Sequence, residues 1–327
     1  MNLTTLHRKF NTQDKCIAYL EKLRWGKQVY CVLCGADNVT DREGTIKWHC
    51  NSCNRDFSVL KDTIFEDSRL PLPKFFQVIV LMIQAKQGIS ASQISRNIGS
   101  SYKTAWYACH RVRCAMINNE LRLEGMVEMD ETYVGGKPRK KYDKDESIAN
   151  LSKFTNKRGR GTKKTPVVGI VEKKGRVYVK IVEKLTSRNL LAMLKKIVNT
   201  NESIMFTDEF KSYKSFDDVV SRIEIKHSEG YGHGVETINT IEGFWSIVKA
   251  GIKGNYKVLS KKYLPFYLAE FSYKYNQRHL QKDAFTEILT NTVNQEKCLL
   301  NYKPKCEVKD IVYKSSKCKK IPTPILS

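Results

Sequence analysis

Three acidic residues, Asp130, Asp208 and Glu242, stand where carboxylates can share metal ions. Asp130 ends the apolar run 126–130, and Asp208 ends a second such run, 204–208. Hard cations such as Mg²⁺ prefer carboxylate oxygens. Two such ions can stabilise both the attacking and the leaving oxygen of an in-line phosphoryl transfer. The three acids are therefore a candidate cage for two Mg²⁺ or Mn²⁺ ions.

Each of the three positions has a competitor nearby. These competitors are Glu131, Glu209 and Glu236. Spacing alone does not choose between Asp130 and Glu131, although strand alternation places Asp130 on the face opposite to Met129. Glu242 is preferred to Glu236, because Glu236 precedes the predicted helix and has no lysine partner. A surface carboxylate near a helix N-terminus is the structural alternative for either glutamate.

The stretch 239–249 predicts the helix that must carry Glu242. Its apolar residues recur at i, i+3, i+4 and i+7, which is the spacing of a buried stripe: Ile241, Phe244, Trp245 and Val248. Glu242 and Lys249 share another face, two helical turns apart. Lys249 is thus placed to contact a phosphate of the DNA backbone near the reacting bond.

Four cysteines have the spacing of a zinc site. Cys31 and Cys34 form one CxxC pair, and Cys50 and Cys53 form a second after fifteen intervening residues. Two such pairs supply four thiolates to one structural Zn²⁺ and organise a ribbon too small to be stable by packing alone. His49 adjoins the third cysteine, but four cysteines already complete the coordination.

The charge of the chain indicates a polyanionic partner. Its 57 Lys and Arg against 34 Asp and Glu give a net charge of +23 over 327 residues. Contacts with phosphates are the ordinary use of such a charge, so double-stranded DNA is the expected partner and a membrane is not. The N-terminus lacks the apolar core of a signal peptide. We expect the cytoplasm or nucleoid if the host is bacterial, and the nucleus if it is eukaryotic.

Residues 70–120 predict a helix-turn-helix segment. A buried helix spans 74–87, a second follows at 91–98, and after Gly99 a third runs from 102 to about 118. The third would enter the major groove with the side chains of Lys103, Trp106, Tyr107, His110 and Arg111. An ordinary helical hairpin with a solvated basic face is the alternative.

From residue 126 the pattern changes to strands. Strands are predicted at 126–134, 165–172, 176–182, 204–207 and 222–226, and helices at 185–198, 239–250 and 263–278. This order resembles the ribonuclease-H-like arrangement, in which acids from two strands and one helix meet. Most aromatics of the last helix are assigned to the core.

Four motifs occur in order along the chain. They are the ribbon 31–53, Met129-Asp-Glu-Thr-Tyr-Val-Gly-Gly136, Thr207-Asp-Glu-Phe-Lys-Ser-Tyr213, and the stretch 233–249 with Glu242 followed seven residues later by Lys249. Together they resemble the zinc-ribbon DDE transposases of bacterial insertion sequences, with eukaryotic Merlin elements as apparent relatives. The resemblance covers roughly residues 15–285. It implies a mixed α+β chain with Asp130, Asp208 and Glu242 as the catalytic triad.

The resemblance also implies a function and a set of domains. The enzyme would bind the inverted ends of its element, cleave DNA and join the 3′ ends to a target, acting as a homo-oligomer. The expected domains are a helix and zinc ribbon at 1–60, the helix-turn-helix segment at 70–120, the catalytic domain at 124–285 with a basic insertion at 136–164, and a basic tail at 286–327. The insertion has eleven Lys or Arg against three acids, which suits either a DNA-tracking arm or a solvated spacer.

Two other functions stay open at this stage. The first is a catalytically silent or domesticated DNA-binding protein derived from such a transposase. The second is a structure-directed nuclease of the same fold, which would cut without joining.

Overall fold

The computed structural model describes residues 1–117, 121–135, 162, 164–225, 238–278 and 283–294. These residues form two compact units. The first contains 1–117 together with 283–294, and the second contains 121–278. No helix in the described part of the chain is long and apolar enough to cross a membrane.

The first unit begins with two helices and a small antiparallel sheet. The elements are α1 (Leu3–Lys9), α2 (Gln13–Trp25), β1 (Val39–Asp41), β2 (Trp48–Cys50) and β3 (Arg55–Phe57). Thr12 caps α2 by accepting the N–H of Lys15. The strands pair in the order β1-β2-β3, which brings the two CxxC segments together.

Three further helices follow, namely α3 (Leu72–Gln84), α4 (Ala91–Ile98) and α5 (Tyr102–Ala115). Ser90 and Ser101 accept backbone N–H groups at the starts of α4 and α5. Gly99 ends α4 in the left-handed conformation, with φ of 58°. The helices predicted at 91–98 and from 102 are therefore present, separated by a short turn at Gly99.

The second unit is built on a five-stranded mixed sheet. The strands are β4 (Leu123–Val134), β5 (Thr165–Glu172), β6 (Val177–Ile181), β7 (Val198–Thr207) and β8 (Ser221–Glu224), in the order β6-β5-β4-β7-β8. The pairs β4–β5 and β5–β6 are antiparallel, whereas β4–β7 and β7–β8 are parallel. This is the predicted ribonuclease-H-like arrangement.

Helices cover both faces of the sheet. They are α6 (Ser187–Ile197), α7 (Asn239–Gly251) and α8 (Leu264–Gln277). Val127 and Met129 of β4 share a core with α6, whereas α7 and α8 pack with β5 on the other face. The predicted stripe of α7 is confirmed, because its four apolar residues are at most 2% exposed.

Helix α9 (Ala284–Asn294) forms the start of the predicted tail. It packs against α2, α3 and α5 of the first unit. The ring of Phe285 lies 5.5 Å from that of Phe76 and is 1% exposed. The part of the tail at 286–294 is therefore helical, and its apolar face completes a core. The rest of that tail, and the basic insertion apart from residues 162 and 164, lie outside the described residues.

Candidate functional site

The four ribbon cysteines bring their sulfurs together. Their ligand atoms all lie within 4.8 Å of one another, with Cys31 Sγ 3.8 Å from Cys53 Sγ and Cys34 Sγ 3.6 Å from Cys50 Sγ. In a tetrahedral Zn²⁺ site with Zn–S bonds of about 2.3 Å, the sulfurs are about 3.8 Å apart. The donor set therefore fits one structural Zn²⁺.

His49 does not belong to this set. Its Nδ1 lies 2.7 Å from Asp56 Oδ1 and 3.2 Å from the Arg42 guanidinium. The imidazole is thus engaged by surface partners of the ribbon sheet, as expected for a residue beside an already complete set of cysteines.

In the second unit, parallel pairing brings two of the predicted acids together. Met129 of β4 is paired with Thr207 of β7, so Asp130 and Asp208 are the next residues on neighbouring parallel strands. Side chains at the same register of paired strands are close neighbours. Oxygens of Asp130, Glu131 and Asp208 lie within 4.8 Å of one another, and we call these three residues the acid cluster.

Glu131 joins this cluster from the other face of β4. Its Oε2 accepts a hydrogen bond of 2.8 Å from the hydroxyl of Tyr213, which is completely buried. Burial and the charge of Glu131 raise the pKa of Tyr213 well above its usual value, so this phenol stays protonated and keeps donating. The residue that the sequence left as a competitor of Asp130 is thus its neighbour in one group of oxygens.

Asp130 is fastened to helix α7 by the indole of Trp245. The Nε1–H group donates to Asp130 Oδ2 at 3.1 Å. Burial, and after it the charges of Glu131, Asp208 and Glu242, raise the pKa of Asp130 to about 7. Mutual repulsion of this kind is typical of carboxylates that are assembled to share cations.

Glu242 and Lys249 lie on the exposed side of α7, as predicted. Glu242 is in the first turn, and its charge acts on Asp130. Among the described residues, however, the group of oxygens within 4.8 Å contains Glu131 and not Glu242. Lys249 lies in the last turn, about 10 Å farther along the axis at the usual rise per residue.

A glycine lets α7 approach the sheet. Gly169 of β5 is paired with Asp130, and a Cβ built on it would lie 2.7 Å from Cζ2 of Trp245 and 2.9 Å from Cδ1 of Ile241. Only a residue without a side chain fits beneath the indole there. The position of the indole above Asp130 therefore depends on this glycine.

Two of the residues predicted to bind DNA are engaged within the first unit. His110 is 0% exposed, and burial followed by the charge of Arg113 lowers its pKa to about 2. Arg111 is half-buried, and its guanidinium donates to the carbonyls of Ile64 and Glu66, at 2.8 and 2.6 Å. The prediction that His110 contacts DNA needs correction, because its ring is closed to solvent. A DNA contact by Arg111 stays a prediction.

The other predicted DNA-contacting residues have different surroundings. Lys103 is exposed, and Trp106 and Tyr107 are half-buried. The Tyr107 ring lies under the Arg111 guanidinium, 4.6 Å away. Lys103 is accordingly the residue of the predicted set that is most open to a phosphate. Glu236 and His233, also considered from the sequence, lie outside the described residues.

Sequence reasoning missed three residues at the contact between α7 and the sheet. They are Glu128, Gly169 and Trp245. Glu128 carried a visible signal, since a carboxylate inside the apolar run 126–130 must find a buried partner. Trp245 was assigned only to the core stripe, because spacing does not reveal which acceptor an indole N–H finds.

Comparison with known proteins finds two matching domain models. A model described as the ISXO2-like transposase domain, of the IS1595 group, matches residues 122–276, and a transposase zinc-ribbon domain model matches residues 11–56. Residues 122–276 thus form an ISXO2-like transposase domain, preceded by a transposase zinc ribbon. The resemblance expected from the motifs is confirmed, and the four-cysteine cluster is that of a zinc ribbon.

A similar protein comes from Halobacterium salinarum. The chain is 29% identical over 276 residues to an uncharacterized protein in transposable element ISH50, covering 81% of this chain and 91% of that protein. Two solved structures are also similar. The Mos1 strand transfer complex has 11% identity, covers 67% of this chain and 73% of that chain, and gives a TM-score of 0.28. A pre-cleavage Mos1 transpososome has 12% identity, covers 89% of this chain and 92% of that chain, and gives a TM-score of 0.26. At these scores the fold assignment rests on the strand order of the second unit.

Proposed function

We propose that this transposase binds the inverted terminal ends of its element, cleaves the DNA and joins the 3′ ends to target DNA by metal-dependent phosphoryl transfer. The observation that carries the proposal is the acid cluster, which lies where β7 ends beside the middle of the parallel strand β4. Oxygen-only donor sets of this kind suit Mg²⁺ or Mn²⁺.

Asp130 and Asp208 would hold the divalent ions, with Glu242 completing the set from α7. Glu131 adds a further oxygen to the same group. Two bound ions supply charge stabilisation for the attacking and leaving oxygens. Trp245 holds one oxygen of Asp130 and leaves its other oxygen for a cation.

Lys249 has a separate role in this proposal. Its ammonium, exposed on the same side of α7 as Glu242, would contact a phosphate of the bound strand near the reacting bond. The net charge of +23 supplies the general attraction for DNA, and the exposed Lys103 at the start of α5 supplies a local contact. The active form would be a homo-oligomer that holds both element ends.

The test is strand transfer with Mg²⁺ on DNA that carries the terminal sequences flanking the gene. Asp208→Asn should abolish cleavage and joining while the affinity for the ends stays within about twofold of wild type, because a neutral amide of the same shape removes a ligand charge and leaves the first unit intact. Glu209→Gln is the matched control, since it changes the exposed adjacent acid and should retain activity.

Two results would contradict the proposal. Wild type that binds the ends but never cuts them, with either Mg²⁺ or Mn²⁺, would identify a silent DNA-binding derivative. Cutting without joining and without preference for end sequence would identify a structure-directed nuclease.

A further inference from the structure

Glu128 is a completely buried carboxylate two residues before Asp130. It is 0% exposed and lies on the same face of β4 as Asp130, because strand neighbours alternate and Val127 and Met129 belong to the core on the α6 side. Removing a carboxylate from water is costly unless hydrogen bonds and charges compensate. The contacts of Glu128 therefore indicate its role.

The first partner is the N-terminus of α7. The first N–H groups of a helix have no acceptor within the helix and need an outside one. The residue before α7 is Ile238, whose side chain makes no capping hydrogen bond. Glu128 Oε2 accepts the N–H of Ile241 at 2.8 Å, so the cap of α7 comes from the sheet instead.

The second partner is Lys173, which follows β5. Its Nζ lies 3.8 Å from Glu128 Oε1 and 4.3 Å from the centre of the Phe206 ring. The positive end of the helix dipole and the ammonium act on the carboxylate together. Burial raises the pKa of Glu128, and hydrogen bonds from Ile241 and Thr240 and the charge of Lys173 oppose this effect.

These contacts hold the segment that carries Glu242. Ile241 immediately precedes Glu242, and the N–H of Glu242 bonds to the carbonyl of Ile238 in the same turn. One turn later, Trp245 donates to Asp130. Helix α7 is thus joined to β4 through two acids on one strand face, first at Glu128 and then at Asp130.

We propose that Glu128 is a positioning residue of the metal site, which places Glu242 opposite Asp130 and Asp208 by capping α7 from strand β4. The inference rests on the proposed function, since it assumes that these acids hold divalent ions. It assigns no ion to Glu128 itself, because Oε2 is already engaged by the helix and the side chain is closed to solvent.

Two substitutions distinguish a role of Glu128 in capping α7 from direct ligation of a cation. Glu128→Gln keeps the length of the side chain and a carbonyl acceptor for the N–H of Ile241, but removes the charge. Glu128→Asp keeps the charge and withdraws the acceptor by one C–C bond, about 1.5 Å. Capping predicts that Gln is the better replacement, whereas direct ligation of a cation predicts that Asp is better.

The measurement is Mn²⁺ binding to the full-length, zinc-loaded chain without DNA, quantified from the electron paramagnetic resonance signal of free Mn²⁺. Glu128→Asp should weaken Mn²⁺ binding by about tenfold or more, as outer partners of metal ligands do. Glu128→Gln should stay within about threefold, since its acceptor is retained. If the Asp variant fails to fold, the Mn²⁺ affinity of Glu128→Gln is compared with that of Glu128→Met, whose side chain is equally long but has no acceptor.

A matched control is available in Glu270 of α8. This carboxylate is also 0% exposed, pairs with Lys274 and accepts from the Tyr256 hydroxyl. Glu270→Gln and Glu270→Asp should lower the melting temperature comparably and leave Mn²⁺ affinity unchanged. Equal effects at the two sites, or an Asp variant at position 128 that binds Mn²⁺ better than the Gln variant, would overturn the proposal.

Failure of this inference is distinguishable from failure of the proposed function. The Mn²⁺ measurement uses no DNA and requires no turnover, whereas strand transfer tests the function itself. A wild-type chain that binds Mn²⁺ but never processes element ends would refute the function and leave the comparison of Glu128 variants valid.

Discussion

Replacing Gly169 with Ala should destabilise the second unit and disturb the acid cluster. The new Cβ would lie 2.7 and 2.9 Å from Cζ2 and Cη2 of Trp245. Carbon atoms in contact prefer about 3.5–4.0 Å, so the rigid indole must retreat by roughly 0.7 Å or more. Its hydrogen bond to Asp130, now 3.1 Å, would lengthen by as much, beyond the range of a hydrogen bond at about 3.5 Å.

The sign of the stability change is informative. Alanine in a strand interior is ordinarily better than glycine by about 0.5–1 kcal/mol. Overpacking a core costs about 1–3 kcal/mol, so the midpoints of the two ranges give a net loss at Gly169 of about 1 kcal/mol. For a unit of this size that corresponds to a fall in melting temperature of roughly 2–4 °C. Strand transfer should fall by about tenfold to a hundredfold, because small displacements of reacting groups are expensive.

The control is Gly254→Ala, at a glycine with no atom within 4 Å of the new Cβ. It should leave activity unchanged and keep or slightly raise the melting temperature. Adding Trp245→Phe to Gly169→Ala should recover stability through the smaller ring, but not activity, since the indole N–H is gone. Gly169→Ala with unchanged melting temperature and full activity would refute the reasoning about α7.

Four further outcomes are expected. Removing zinc, or replacing Cys34 with Ser, should unfold the ribbon, measured by circular dichroism, and weaken binding of the element ends, measured by gel shift. Unchanged binding would leave the ribbon a purely structural role. The affinity for DNA should fall steeply with salt, and a shallow log–log slope would contradict phosphate-dominated binding. Because burial raises the pKa of Asp130 to about 7, the folded state holds this proton more tightly than the unfolded chain. The metal-free chain should therefore lose stability as the pH rises from about 4 through 7; Asp130→Asn should flatten that dependence in thermal melts, and an unaltered profile would argue against the shift. Finally, Lys103→Ala should weaken DNA binding without changing the melting temperature. Arg111→Met should instead lower the melting temperature, because it removes the donors to two carbonyls. The reverse pattern would indicate that Arg111 contacts DNA.

Local signals in the sequence account for much of the fold. The spacing of four cysteines predicts the ribbon, and Thr12, Ser90 and Ser101 cap the helices that their positions indicate. The apolar stripe of α7 and the five strands follow from periods of 3.6 and 2 residues. These features depend on neighbours close in sequence, which is why a single sequence reveals them.

Features that depend on distant partners were not predictable in the same way. Burial of His110 arises because α5 packs against three helices, α3, α4 and α9, and not against one. The residue spacing within α5 gives no sign that it packs against α9, which lies some 170 residues later in the chain. The cap of α7 by Glu128 likewise joins residues 113 positions apart. The membership of Glu131 in the acid cluster depends on the strand register, which spacing leaves open.

The return of α9 to the first unit affects how the protein is made. Synthesis proceeds from the N-terminus, and domains generally fold as they emerge. The core around Phe76 is closed only when Phe285 arrives, after the whole of the second unit has been translated. The unit that starts first is therefore completed last. A chain that stops before residue 284 would carry every acid of the cluster, yet it would leave apolar surfaces of α2, α3 and α5 uncovered, so incomplete translation products should aggregate or be degraded before they reach DNA.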